Sequence, residues 1–313
     1  MNVPVSRRGF LRTAGAAGAI ALSGCSRLGE GGSEAGESVP PGAAMFRYNP
    51  ARTGGPPDAT GPTDSVTEQW VVRTQGGVAR SLAVFDDSVY VGSNDDAVTA
   101  LAASDGTERW SVEADGQIGW PPAVVDDAVY VGRGDGTICA LAAGDGTERW
   151  RFDTGKRVAP APAVVDDTVY VGGVENGGEV LYALDASDGT ERWSFEMEFN
   201  GYASPAVVDG TVYLNHGERN WALDAADGTE RWSFEPDDAM ETVGTGPPAV
   251  RDETVYIGGH DTVYALAADE GTEEWSFEVA DSVGSSPAVT DGAVYIGGND
   301  GTVYALATGD GTE

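Results

Sequence analysis

The sequence repeats itself about every 40 residues. A Gly-Thr turn preceded by Asp or Glu puts glycines at 106, 146, 189, 228, 271 and 311, and the first five copies run on into Trp110, Trp150, Trp193, Trp232 and Trp275. A period of this length means that one small supersecondary unit is used again and again, each copy burying its apolar face against the next. Within a copy, a stretch such as Ser-Pro-Ala-Val-Val-Asp-Gly (204–210) leads through a tight turn into Thr-Val-Tyr-Leu. A Gly, Asn and Asp rich turn, a Tyr-Ala-Leu run, the Asp-Gly-Thr turn and finally Arg-Trp-Ser-Phe follow. Short runs of β-branched and aromatic residues between such turns predict four antiparallel strands joined by hairpins, A to D, and no segment carries a helical period.

One four-stranded sheet per repeat, arranged radially, is a β-propeller blade, so the expected fold is an all-β propeller of six modules. The sixth copy, Ala-Thr-Gly-Asp-Gly-Thr-Glu at 307–313, has no tryptophan. Thr-Glu-Gln-Trp-Val-Val-Arg-Thr, residues 67–74, holds Trp70 in phase, 40 residues before Trp110. An unpaired edge strand invites aggregation, so the expectation is that 67–74 closes the ring as strand D of module six. The alternative is a fragment of a seven- or eight-bladed propeller.

The phrase Tyr-Ala-Leu-Asp-Ala-Ser-Asp-Gly-Thr-Glu-Arg-Trp (182–193) resembles the tryptophan motif of the quinoprotein, or PQQ-like, propeller repeat, and the resemblance runs through residues 78–313. It implies that Trp70, Trp110, Trp150, Trp193, Trp232 and Trp275 lock blades together and are not catalytic. Catalytic relatives carry eight blades, a calcium ion over pyrroloquinoline quinone, an aspartate base and often a disulfide between adjacent cysteines. Here the cysteines are Cys25 and Cys139, and acids such as Asp135, Asp300 and Asp310 stand in hairpin turns. No catalytic residue, metal site or cofactor is therefore expected; PQQ and calcium belong to the alternative of a quinone-dependent oxidoreductase with an atypical site. His216 and His260 read as surface turn residues, and Cys139 as an inert core thiol.

The N-terminus carries a second resemblance. Ser-Arg-Arg-Gly-Phe-Leu-Arg (6–12), a short apolar run and Leu-Ser-Gly-Cys (22–25) resemble a twin-arginine export signal ending in a lipobox. The implied organisation is a signal peptide over 1–24, lipidation of Cys25, a Gly, Ser, Glu and Pro rich tether over 25–44, and the propeller over 45–313, exported and anchored to the outer face of the cell membrane. Loss of residues 1–24 removes Arg7, Arg8 and Arg12 and no acid, leaving 15 basic and 51 acidic residues and a formal charge of −36. That surface repels nucleic acid and anionic headgroups, so the membrane is met only through the Cys25 lipid. The composition resembles that of salt-adapted, haloarchaeal proteins, whose charges are screened at molar salt.

Positions that one module does not share with the others are free to serve function. Three residues before the Ala-Val of strand A the modules read Arg80, Trp120, Pro160, Ala203, Gly246 and Ser285, and one place upstream Tyr202 stands among small residues. These D-to-A connections meet at one mouth of the channel, where Arg80, Trp120, Lys156, Arg157 and Tyr202 form a cationic and aromatic candidate site on an acidic chain. Lys156 is the sole lysine. The loop 235–242, with Met240, is a second candidate surface. The leading expectation is a monomeric, lipid-anchored binding or scaffolding module for a protein partner or small ligand. It resembles the non-catalytic branch of the family, which includes the lipid-anchored propeller of the bacterial outer-membrane assembly machinery. A carbohydrate-binding or lyase-type propeller is a further alternative.

Overall fold

The computed structural model describes residues 43–44, 67–78, 81–158, 161–175, 178–197, 204–216, 219–236 and 246–313. They hold strands and turns, with no helix long and apolar enough to cross a membrane. Module two shows the pattern. Its strands A (Ala123–Val125), B (Ala128–Gly132), C (Thr137–Ala142) and D (Glu148–Asp153) pair antiparallel in that order. Modules one, four and five repeat it. Module three has longer B and C strands, Thr168–Glu175 and Gly178–Asp185, and Arg157–Val158 pairs with the extension of B. Ala43–Ala44, at the end of the stretch read as tether, pair with strand A of module two.

This strand order puts the A-to-B and C-to-D turns at one end of every sheet and the B-to-C turns and D-to-A connections at the other. The C-to-D turns are near copies of one another. In module two Asp145 accepts the Thr147 N–H at 3.0 Å, and Gly146 takes a φ of +73° that a side chain resists. In modules one to five the C–D pairing shifts register between the Ala and Leu of strand C, a bulge that sharpens strand twist.

Stacking of modules follows from the same residues. Trp150 donates its indole N–H to Ala186 O of module three at 2.8 Å, and its ring covers Gly189, where a Cβ would fall 2.5 Å from Trp150 Cε3. Trp110, Trp193, Trp232 and Trp275 do the same to Gly146, Gly228, Gly271 and Gly311. Around each lock one face, made of Ala, Tyr and Trp, meets a Val, Ile and Leu face of the next module. Ala123, Tyr130, Ala140 and Trp150 pack on Val164, Val169, Val171 and Leu184 in this way.

The two ends of the array depart from expectation. Trp70 behaves as the tryptophan of a preceding blade, since it donates to Ala103 O at 3.0 Å and covers Gly106. Residues 67–74 nevertheless form no strand, and module six consists of Ala288–Val289, Ala293–Gly297 and Val303–Ala307 alone. Closure of the ring by 67–74 is not made among the described residues. The side-chain half of the strand D role is filled on module one, while its backbone ladder is missing on module six.

Candidate functional site

At the end of the sheets that carries the D-to-A connections, the modules cease to resemble one another. Three connections carry an apolar seal: Ile118, Val158 and Val283 are buried, each against a glycine near the end of the preceding strand B. A Cβ on Gly92, Gly132 or Gly258 would come within 2.6 Å of that side chain, so glycine is obligatory there.

Two of the connections that carry candidate residues flank one hairpin. The B-to-C turn of module two, Arg133 to Gly136, accepts the connection carrying Trp120 on one side, where Gly134 N–H donates to Gln117 O at 2.9 Å. On its other side Thr154 donates to Gly136 O through both its N–H, at 2.9 Å, and its hydroxyl, at 2.8 Å. Thr154 Oγ1 in turn accepts the Lys156 N–H at 3.1 Å, which fixes the backbone from which Lys156 and Arg157 rise. Arg157 is exposed, and Lys156 and Trp120 are half-buried. Arg133, buried at the start of this turn, makes a long ion pair to Glu148, 3.8 Å, and its Nε has no partner. Trp120, Lys156 and Arg157 are thus held on adjacent connections around one turn. Arg80, Tyr202, Met240 and Cys25 lie outside the described residues.

Module four contributes a polar group that the sequence reading missed. At the fifth position of strand B, where the other modules have Gly92, Gly132, Gly172, Gly258 and Gly297, it has Asn215, followed by His216. His216 is not a surface turn residue: it is buried, 3.1 Å from Glu179 of module three, and both side chains are fully enclosed. Trp221 holds the imidazole edge-on, with ring centroids 5.6 Å apart. Burial follows because the long B–C hairpin of module three carries Glu179 over the end of strand B in module four. On the opposite face Asn215 donates to Gly246 O and Gly258 O, each at 3.1 Å. Asn220 stands opposite Asn215 in the ladder, where other modules place Val98, Ile138, Leu181 and Val263, and neither end of its amide has a partner. Nor do His216 Nδ1 or Ser204 Oγ. Such groups cost about 1–3 kcal/mol each when left dry, so they mark where this end sacrifices stability. The available signal was the notable loss of strand B glycine in one module.

The remaining candidates are placed plainly. His260 is half-buried in the B-to-C turn of module five and its backbone carbonyl accepts Val283 N–H at 2.7 Å. Cys139 is enclosed in the core, and burial pushes its thiol up to about 11, which leaves it protonated and inert at neutral pH. Among the described residues no three His, Cys, Asp or Glu side chains converge as metal ligands would.

The family model described as outer membrane protein assembly factor BamB matches residues 63–180, 143–244 and 222–313. No curated protein is matched by the sequence. Among solved structures, BamB from Moraxella catarrhalis shares 22% identity at a TM-score of 0.59, over 77% of this chain and 73% of that one. A computationally designed protein, Ika8, shares 18% at 0.64, over 75% and 72%. The quinohemoprotein alcohol dehydrogenase of Comamonas testosteroni shares 16% at 0.65, over 85% of this chain and 52% of that enzyme, so the chain spans about half its length. These likenesses establish the fold alone.

Proposed function

Because the chain belongs to the family described as outer membrane protein assembly factor BamB, we propose that it is an exported, lipid-anchored propeller that binds or scaffolds a partner at the D-to-A end of its sheets. One observation carries the reading. The C-to-D end repeats a single turn from module to module, whereas Trp120, Arg133, Lys156, Arg157, Asn215, His216 and Asn220 all depart from the repeat at the other end. Repeated residues serve the blade; individual ones at a shared end serve recognition. The family description names an assembly factor, and Trp120, Lys156 and Arg157 on the connections beside the module-two turn give an acidic partner segment something to grip. Export through the arginine pair and attachment through Cys25 place this end outside the cytoplasm.

The quinone alternative draws on the dehydrogenase likeness. The described residues do not fit its metal: calcium takes six to eight oxygens, no cluster of acids assembles them, and Glu179 is committed to His216. The decisive experiment puts a photo-crosslinking side chain at Trp120, or at Thr107 in a C-to-D turn, in the anchored protein in its own cells. A discrete partner trapped from position 120 and absent from 107 is the expected result. Equal labelling from both positions, or dye-linked alcohol oxidation after loading with calcium and the quinone in multimolar KCl, would overturn the reading. Conversion of Cys25 to Ser is expected to release the protein from the membrane fraction, and retention there would remove the anchor from the proposal.

A further inference from the structure

Strand B of module two runs on from Gly132 into Arg133, and alternation puts this side chain on the face of Val129 and Val131, which packs on module one. The same place holds Ser93, Gly173, His216, Gly259 and Gly298 in the other modules. The glycines bring no side chain to satisfy. Ser93 is hydrogen-bonded to Asp95, and His216 meets Glu179 at 3.1 Å, so each of the other polar side chains has an acid of its own. Arg133, only 2% exposed, has none. Among the described residues the acid within 4 Å of it is Glu148, whose Oε2 stands 3.8 Å from Arg133 Nη2, beyond hydrogen-bond reach.

Glu148 already belongs to Arg151, which donates to Oε1 from Nε at 3.3 Å and to Oε2 from Nη2 at 2.9 Å. Two guanidinium groups therefore converge on one carboxylate oxygen, and one positive charge is left over. It is the enclosed one: Arg133 Nε is buried with no acceptor, a cost that a solvated arginine escapes. A buried charged donor in this position calls for an ion or a water as its partner. Chemistry narrows the choice. Each guanidinium presents its N–H groups in a planar fork that fits two oxygens of one ligand. A tetrahedral dianion has oxygens for both forks and two charges for two arginines, where the Glu148 carboxylate has one. Entry needs no opening of the core. Arg151 and Glu148 are 41% and 38% exposed on strand D, the edge strand of the sheet, so Glu148 turns into solvent without burying its charge. A chain of formal charge −33 repels anions at long range, but molar salt screens that repulsion and screens contacts to an enclosed guanidinium far less.

We propose that Arg133 and Arg151 form a binding site for a phosphate- or sulfate-type dianion, which takes the place of the Glu148 carboxylate between them. One ligand oxygen sits where Glu148 Oε2 now meets Arg151, and the others satisfy the Arg133 fork. The module-one face encloses Arg133 and fixes one half of the site; Arg151 and Glu148 make its exchangeable, solvent-facing half. The site is independent of the partner proposed above, and its test requires no partner.

The test dialyses the full-length protein, carrying Cys25→Ser, against radiolabelled inorganic phosphate in multimolar KCl, with unlabelled sulfate or phenyl phosphate as competitor. Saturable binding of a single phosphate per chain, released by sulfate, is expected. Release by phenyl phosphate as well would assign the site to monoesters on larger molecules, and resistance to it would confine the site to free ions. Glu148→Gln removes the competing charge and is expected to tighten binding by about tenfold, while Arg133→Met weakens it by about tenfold or more. Arg149→Gln, on the same strand but paired with Asp127, should bind as the parent does. Equal binding by the parent, Arg133→Met and Arg149→Gln would reveal an adventitious ion only and overturn the site. Glu148→Gln keeps both arginines, so the test survives a failure of Arg133→Met to fold: no binding by the parent and Glu148→Gln, or no gain in the latter, would equally overturn it.

Discussion

Two residues apart in one turn, Gly144 and Gly146 meet opposite surroundings. A Cβ on Gly144 would meet nothing within 4 Å, whereas on Gly146, at φ +73°, it would lie 2.8 Å from Trp110 Cε3. Gly146→Ala must therefore either move the tryptophan that ties module one to module two or strain the backbone, and a loss of about 2 kcal/mol or more is expected. Gly144→Ala should stay within about 0.5 kcal/mol of the parent. Denaturant midpoints of the two variants in molar KCl decide the matter, and equal effects would remove the lock from the account. The phase of these glycines and tryptophans was legible in the sequence because six copies state the same requirement. His216 was not legible in the same way. Its burial comes from Glu179, 37 residues away, and no local pattern around a turn histidine announces a partner on the next sheet.

At the scale of strands and hairpins the reading of four runs per module held, since alternation and turn chemistry act locally. It failed at element ends, where a neighbour decides. Module three's extended B–C hairpin and module four's polar strand ends belong together: one supplies the carboxylate, the other the imidazole and amides. Asn220 tests what these departures are for. Its amide occupies a site that holds valine, isoleucine or leucine in four other modules and has no hydrogen-bond partner. Asn220→Val is expected to stabilise the fold by about 1 kcal/mol, because it removes a desolvated polar group without opening a cavity. A raised unfolding midpoint with weaker partner capture would identify the amide as a cost carried for recognition. A lowered midpoint would show instead that it supports the packing of module four on module five. Among the candidate cations, Lys156 and Arg157 rise from backbone fixed by Thr154 and the module-two turn, an arrangement readable only after the hairpins are placed, and Arg80 lies outside the described residues.

For the whole molecule, charge dominates. The arginines of strand D are each set against one acid: Arg109 on Asp87, Arg149 on Asp127, Arg192 on Asp185 and Arg231 on Asp224. These pairs are largely exposed and contribute little individually. They engage four of the 18 basic residues, and with 51 acids on the chain the greater part of the negative charge has no counterion from the protein. Folding gathers those acids onto a compact surface, so repulsion opposes the native state in dilute buffer and fades as the Debye length falls from about 10 Å at 0.1 M to about 3 Å at 1 M salt. The core cannot compensate through disulfides, since Cys139 is a free buried thiol. The thermal midpoint is therefore expected to rise steeply with KCl from roughly 0.1 M to 1 M, the range in which screening changes most, and more gently above it. An uncharged osmolyte at equal osmolarity should reproduce only the part of the rise that comes from solvent exclusion. A midpoint that does not move with KCl, or that betaine raises as far as KCl does, would mean that packing between blades outweighs surface repulsion even in dilute buffer. The acidic composition would then reflect solubility alone, with no bearing on the stability of the array.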